Sequence, residues 1–450
     1  MTLNSETKTI SKKLGYFSLW AIGVSLVISG ESFGWNIGWA KTGPIAFFIP
    51  VVLAFILYYS LVQTLIELAC VYPEAAGPHV YVRSAFGRFW GAFIALAILF
   101  EFLFASPAIA ASLGEYICFL KGNTADVNWI ATGFILFFCL VNIFDVEIGT
   151  KFIIVLTFLA ILELSLYASS IVSSFKIPNF VANTNNRFEL QTLVEATPFA
   201  IWMLLGIEGL SLMTHTIDEK NFRKNITLGY QLSFWTLVLL AVLILVLAAG
   251  GIAWDTDKWE IISQDNHPMP ASLGLILDKK SIVVQIFTFI GLFGLIASLH
   301  AITLAATNQV ALLISSFVRQ KQQGRILSSI VVMLVSSLTI WTSQTSFLIE
   351  LSVFGAVCMY FGVSLSLIRK RFLKKNTLNL RLEGESTNEM INFGHHDFSA
   401  TRSAIFVWIS TILSFIAILI LSYLHPSVCL SFVCIGLGIF LWLRFKNGVL

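Results

Sequence analysis

Apolar residues fill this chain in runs of about twenty or more, set off by short polar turns. A membrane β-barrel would alternate and give a weaker pattern, so the runs predict helical spans. They fall at 15–40, 44–72, 89–119, 127–145, 152–175, 195–216, 228–254, 282–316, 326–343, 347–368, 403–424 and 427–444. The third and eighth are long enough to tilt or to extend past a bilayer. The first is too long for a signal peptide and lacks a small-residue cleavage site, so it is kept as span one. Two runs are interrupted by polar positions. Span one carries Ile28-Ser29-Gly30-Glu31-Ser32-Phe33-Gly34-Trp35, and span six carries Trp202 to Leu210 with Gly206, Glu208 and Gly209. A carboxylate at mid-membrane is costly, and backbone unwinds there only when buried in protein or lining a cavity. A snorkelling glutamate on a kinked helix would explain one such stretch. Its recurrence about 175 residues on favours two broken helices that share a solute site.

The spacing of the interruptions organises the chain. Spans one and six stand five apart, so spans one to ten divide into two sets of five, the second inserted upside down. The expected domains are a cytoplasmic segment 1–14, a first inverted repeat 15–175, a second repeat 195–368, a cytoplasmic loop 369–402, spans eleven and twelve over 403–444, and a tail 445–450. The fold class is therefore an all-α integral membrane protein of about twelve helices, a 5+5 inverted repeat with helices 1 and 6 broken and two C-terminal helices added.

Composition agrees: 57% of the 450 residues are hydrophobic and 12% charged. Charge placement adds an orientation. With the N-terminus in the cytoplasm, 21 of the 28 lysines and arginines lie on the inner side and none lies inside a span. Both termini are then cytoplasmic, in a cell membrane (inner or plasma). Acids behave differently. Glu31, Glu101, Glu163 and Glu208 sit well inside spans, whereas Glu67, Glu115 and Glu350 lie nearer span ends. Carboxylates without fixed cations need a solute, a proton or a metal ion to neutralise them.

These residues suggest a chemistry. Half-helix N-termini suit a carboxylate ligand, but Glu31 and Glu208 repel one and attract an amine. Phe33, Trp35 and Trp202 either offer aromatic faces to a cation or pack as core residues. Ser29, Gly30, Gly34, Gly206 and Gly209 would supply opened backbone. Glu31 contacts the substrate ammonium or makes a structural hydrogen bond. Glu208 meets the same ammonium or carries the coupling proton, for which Glu163 is a second candidate. Pro107 frees a carbonyl one turn back, and Glu101, six residues before it, shapes a cavity wall or simply packs. Sodium would need span-eight hydroxyls, for which Ser298 and Thr303 qualify by proximity. The six cysteines show no metal-ligand spacing and no disulfide framework, and His395-His396-Asp397 reads as solvated. No metal site, cofactor or nucleic-acid motif is indicated. An enzyme is disfavoured by the absence of a nucleophile–base pair or phosphate loop.

With those residues in view, the chain resembles the amino acid–polyamine–organocation superfamily and, within it, the ethanolamine permeases. Gly15 to Trp20 and Val27 to Asn36 are similar to that group's first span, and Pro198 to Gly209 to its sixth. Gly291 to His300 is similar to its eighth, while Glu67-Leu68-Ala69, Pro73, Gly77 and Ala85-Phe86-Gly87 match the superfamily pattern. Departures include Gly77-Pro78 for the usual double glycine and Met213-Thr214-His215-Thr216 for paired acids. The resemblance implies a leucine-transporter-type fold and alternating access. It also implies a permease for a small organic amine, ethanolamine first, coupled to a proton or working by exchange. The alternative is an amino acid permease of the same superfamily, and a third is a non-transporting amine sensor. Expected partners are the small-molecule substrate, membrane lipid and a coupling proton.

Overall fold

In the computed structural model, residues 14–73, 77–123, 125–144, 150–181, 186–315, 318, 320–372 and 403–447 are described. The pair His395-His396 and most of the expected loop 369–402 lie outside them. Every regular element among the described residues is helical. The first span is split into α1 (Tyr16–Ser32) and α2 (Trp35–Thr42). Then come α3 (Pro44–Val71), the short α4 (Pro78–Phe86), α5 (Arg88–Lys121), α6 (Val127–Ile143), α7 (Thr150–Ile171) and α8 (Ile177–Val181). The sixth span is α9 (Leu190–Trp202) continued by a 3₁₀ segment, Ile207–Thr216. After it follow α10 (Phe222–Gly251), α11 (Thr256–Gln264), α12 (Pro268–Leu277), α13 (Ile282–Ile314), α14 (Lys321–Thr342), α15 (Thr345–Phe372), α16 (Ala404–Leu424) and α17 (Pro426–Asn447).

Ten of these, counting each broken span once, are long and apolar enough to cross a membrane, and α6 and the first part of α17 are shorter apolar helices. The twelve runs read from the sequence are therefore present. Edges differ: the sixth span begins at Leu190, the seventh at Phe222, and the tenth runs on to Phe372. The differences arise at polar ends, where hydropathy fades before the helix does. The connecting helices α4, α8, α11 and α12 are too short to register as spans. The 34-residue α5 and 33-residue α13 are the long ones; at 1.5 Å per residue each is about 50 Å, more than the bilayer core, so tilt or protrusion is required.

Turn chemistry fixes the junctions. Gly43, at φ +81°, ends α2, and Pro44 opens α3 with a φ already set for a helix. The spans then sort by burial. On α3, Ile49, Val52, Leu53 and Ile56 form an exposed apolar stripe that suits lipid. The interior is built from α1, α5, α9, α13 and α15, with α5 packed on α13 and α15, α1 on α10, α13 and α7, and α2 on α9. A main-chain clasp ties the start of the first span to the end of the sixth: the Leu14 N–H donates to the Thr216 carbonyl at 2.9 Å, and the Asp218 N–H to that of Leu14 at 3.2 Å.

Candidate functional site

The first break is narrower than the sequence pattern suggests. Ser29, Gly30 and Glu31 remain helical, and the chain opens only at Phe33, which is extended, and Gly34, at φ +99°. A residue with a Cβ resists that φ, so the break sits where the glycine is. Unwinding frees main-chain groups that hydrocarbon cannot satisfy. Side chains do so instead. The Trp35 indole N–H donates to the Glu31 carbonyl at 3.1 Å and that of Trp202 to the Phe33 carbonyl at 3.2 Å. The Gly34 N–H donates to Asn36 Oδ1 at 3.0 Å. The Asn36 amide also reaches the Ile262 and Asp265 carbonyls, at 2.8 and 2.7 Å, fastening α2 to the segment between α11 and α12.

The second break follows Trp202. Met203 to Gly206 form turns, Gly206 takes φ +105°, and the chain resumes as a 3₁₀ helix. Here the freed donor is met by a carboxylate: the Gly206 N–H donates to Glu208 Oε1 at 3.0 Å. The two breaks cross in direct contact. A methyl group at Gly30 would lie 2.6 Å from the Trp202 carbonyl oxygen, and one at Gly206 3.2 Å from that of Leu26. Glycine is needed at position 30 for this close approach, not for an open turn. The Phe33 and Trp202 rings meet edge to face at 5.5 Å.

A crevice lies at this crossing. Of the sequence candidates, Ser29, Gly30 and Trp202 line it. Leu26, Ala105, Ile109, Leu205 and Ile302 complete the wall. Those five are ordinary apolar residues, and nothing in the sequence separates them from lipid-facing ones. As it stands the crevice is too tight to admit a water-sized sphere, so a solute enters only when its walls part. Above Ser29, its hydroxyl and that of Ser298 lie 2.8 Å apart, and Ser298 donates to the Leu26 carbonyl at 3.1 Å. Thr303 meets Ser106 instead, at 3.5 Å.

The four mid-span carboxyl groups are all buried, yet they are not gathered around the crevice. Glu31 has no hydrogen-bond partner at either oxygen. Glu163 on α7 is likewise unpartnered and packs into a notch on α13, where a methyl at Gly291 would overlap its Oε1 and one at Gly294 would stand 3.8 Å from its Oε2. Glu101 has no hydrogen-bond partner at either oxygen, and Glu208 is held through Oε1 by the Gly206 N–H and has none at Oε2. The Tyr360 hydroxyl lies 3.1 Å from that of Tyr58. Tyr58 donates to the Ile201 carbonyl at 2.9 Å. Ser352 donates to the Glu101 carbonyl at 2.6 Å, locking α15 to α5. Sequence reading found Glu101 and Glu208 but not the two tyrosines, which look like any other aromatic in a span.

The acids near span ends find bases or amides. Glu67 is paired with Arg371 at 2.5 Å, and Glu350 with His425 at 2.7 Å. Glu115 accepts from the Asn266 N–H and side-chain amide at 2.8 and 2.6 Å and meets His267 Nδ1 at 2.8 Å. With Asp265 these form a group of metal-ligand type, their ligand atoms within 4.8 Å of one another, that sequence spacing did not suggest. Its atoms are engaged in fastening the α11–α12 segment to α5. Burial raises the Asp265 carboxyl above its ordinary range, with Glu115 adding to it and His267 opposing. The six cysteines are free thiols.

Comparison with known proteins agrees with this architecture. The profile of a family described as amino acid permease matches residues 14–440. An uncharacterized transporter of Rhizobium meliloti (strain 1021) is 23% identical over 250 residues, which is 54% of this chain and 53% of that protein. The match thus spans about half the length of the curated relative.

Proposed function

The chain belongs to the amino acid permease family, and from that premise we propose that this membrane transporter is a secondary carrier of a small organic amine, ethanolamine first among them. It would work by alternating access, in symport with a proton or by exchange. The observation that carries the reading is the crossing of the two breaks, where Gly30 meets the Trp202 carbonyl and a small crevice opens beside Ser29. A broken helix leaves polar main-chain groups at mid-membrane, and these become useful where a solute can reach them. Glu31, one residue beyond the crevice wall and without a partner, is the group proposed to meet the ammonium when the crevice opens.

Amino acid carriage is the second reading. It is favoured by a specific feature: no carboxylate lines the crevice as it stands, so a substrate carboxylate would meet no like charge there. Uptake of labelled ethanolamine into proteoliposomes separates the two. Concentrative uptake blocked by amino alcohols, and not by alanine or arginine, supports the amine carrier. Uptake of amino acids without ethanolamine uptake replaces it with the second reading. A Glu31→Gln protein with unchanged affinity and rate would remove Glu31 from substrate contact.

A further inference from the structure

We propose that Asp265 and His267 form a divalent-metal site of the zinc type, positioned by Glu115, whose occupation restrains the first break. The three residues meet where the end of α5 packs on the turn between α11 and α12, and none of them lines the crevice. Glu115 does the positioning. It accepts from the Asn266 N–H through Oε2 and from the Asn266 side-chain amide through Oε1. Both of its oxygens are accepting, so the hydrogen shared with His267 at 2.8 Å belongs to the ring Nδ1. The neutral imidazole then has its lone pair on Nε2. A carboxylate bonded to one ring nitrogen is the device that fixes the tautomer and orientation of a metal-binding histidine and raises its basicity. The Phe119 ring, 5.2 Å from the imidazole, packs against it as well.

The other ring nitrogen is left for a ligand. Nε2 lies 3.8 Å from Asp265 Oδ2. That is beyond the reach of an N–H···O hydrogen bond, so a proton on Nε2 gains no partner there. It is close to the span of a metal bridge, because zinc binds imidazole nitrogen and carboxylate oxygen at about 2.0–2.2 Å each. Charge agrees with geometry. Burial, with Glu115 adding to it, disfavours the negative charge of Asp265, and a bound cation would offset both. The nearby Lys279 ammonium stands over the Phe119 ring, 6.0 Å from its centre. An imidazole beside a carboxylate suits zinc, whereas calcium and magnesium take oxygen ligands. Water would complete the shell. The site reaches the first break through the main chain. Asn36, whose Oδ1 holds the Gly34 N–H, donates to the Ile262 carbonyl at 2.8 Å and to that of Asp265 itself at 2.7 Å. Ser112 of α5 donates to the Asn266 carbonyl at 2.7 Å. A metal on Asp265 and His267 therefore stiffens the turn that joins α2 to α5, and slows a cycle in which those helices move apart. This consequence alone rests on the carrier reading.

The test uses the full-length protein without a polyhistidine tag, in nanodiscs, titrated with Zn²⁺ alone. Binding should saturate at one ion per chain, and Asp265→Asn and His267→Gln should each weaken it by about tenfold or more. Glu115→Gln should weaken it by about 10–100-fold and shift the visible bands of bound Co²⁺, which a mere loosening of the segment would not move. X-ray absorption of the zinc-loaded wild type needs no variant, and one imidazole among oxygen ligands is the expected shell. A shell without imidazole, binding that does not saturate, or affinity unchanged in both ligand variants overturns the site. In proteoliposomes, Zn²⁺ should inhibit solute uptake by the wild type and not by Asp265→Asn. Zinc bound at the site with uptake undiminished overturns the restraint. Absence of all uptake in folded protein breaks the carrier reading alone, since the zinc titration still decides the site.

Discussion

The two breaks solve one problem with different chemistry. At the first, the freed groups are met by Trp35, Trp202 and Asn36, none of which changes charge at any ordinary pH. At the second, the freed Gly206 N–H is met by the carboxylate of Glu208. The first break is therefore a permanent fixture, held in shape whatever the proton supply. The second depends on a titratable group. A protein that must both keep a site and move around it gains from that division: one half positions, the other half responds.

The comparison can be broken most directly at Gly34. Gly34→Ala adds a Cβ at φ +99°, 2.6 Å from the Trp202 Cδ1. Backbone strain and overpacking together should cost about 2–4 kcal/mol, read as a large loss of thermal stability in detergent. A neutral effect would mean the first break is not rigid. Trp202→Phe is the next largest. It keeps a ring but leaves the Phe33 carbonyl without its donor, at a cost of about 1–3 kcal/mol, and widens the crevice, so affinity should fall with stability. If only affinity falls, the indole binds substrate and does not cap the break.

Asn36→Ala sharpens the contrast further. It removes the acceptor for Gly34 and two donors to the α11–α12 segment, for about 1–3 kcal/mol, and the loss should be the same at every pH. Proteolysis of that segment, compared at two pH values, checks it. At neutral pH the smallest effect is expected at His79 on α4, whose imidazole is pushed down to about 4 by burial and by Arg83. Its charged form is disfavoured in the fold, so its contribution is complete above the ordinary value of 6.5 and drains away as pH falls toward 4. The thermal midpoint should drop across that window, and less steeply in His79→Gln. An equal slope in both proteins would assign the acid sensitivity elsewhere.

Much of this was legible in one dimension because a bilayer imposes length and polarity on each segment separately. The twelve apolar runs and the glycine-flanked glutamates at 31 and 208 are properties of local sequence, and a helix in lipid satisfies its backbone within itself. Even so, the pattern drew the first break too wide, since Gly30 and Gly34 look alike as letters. One permits close helix approach and the other a left-handed turn, and only the neighbouring chain distinguishes them. Likewise Tyr58 and Tyr360 lie on different spans, so no spacing could announce that their hydroxyls meet. The sequence by itself determined that helices cross the membrane and that four carboxyl groups go with them. Tertiary structure alone decided which carboxyl found a partner, because side-chain pairing across spans depends on helix rotation and crossing, to which hydropathy is blind.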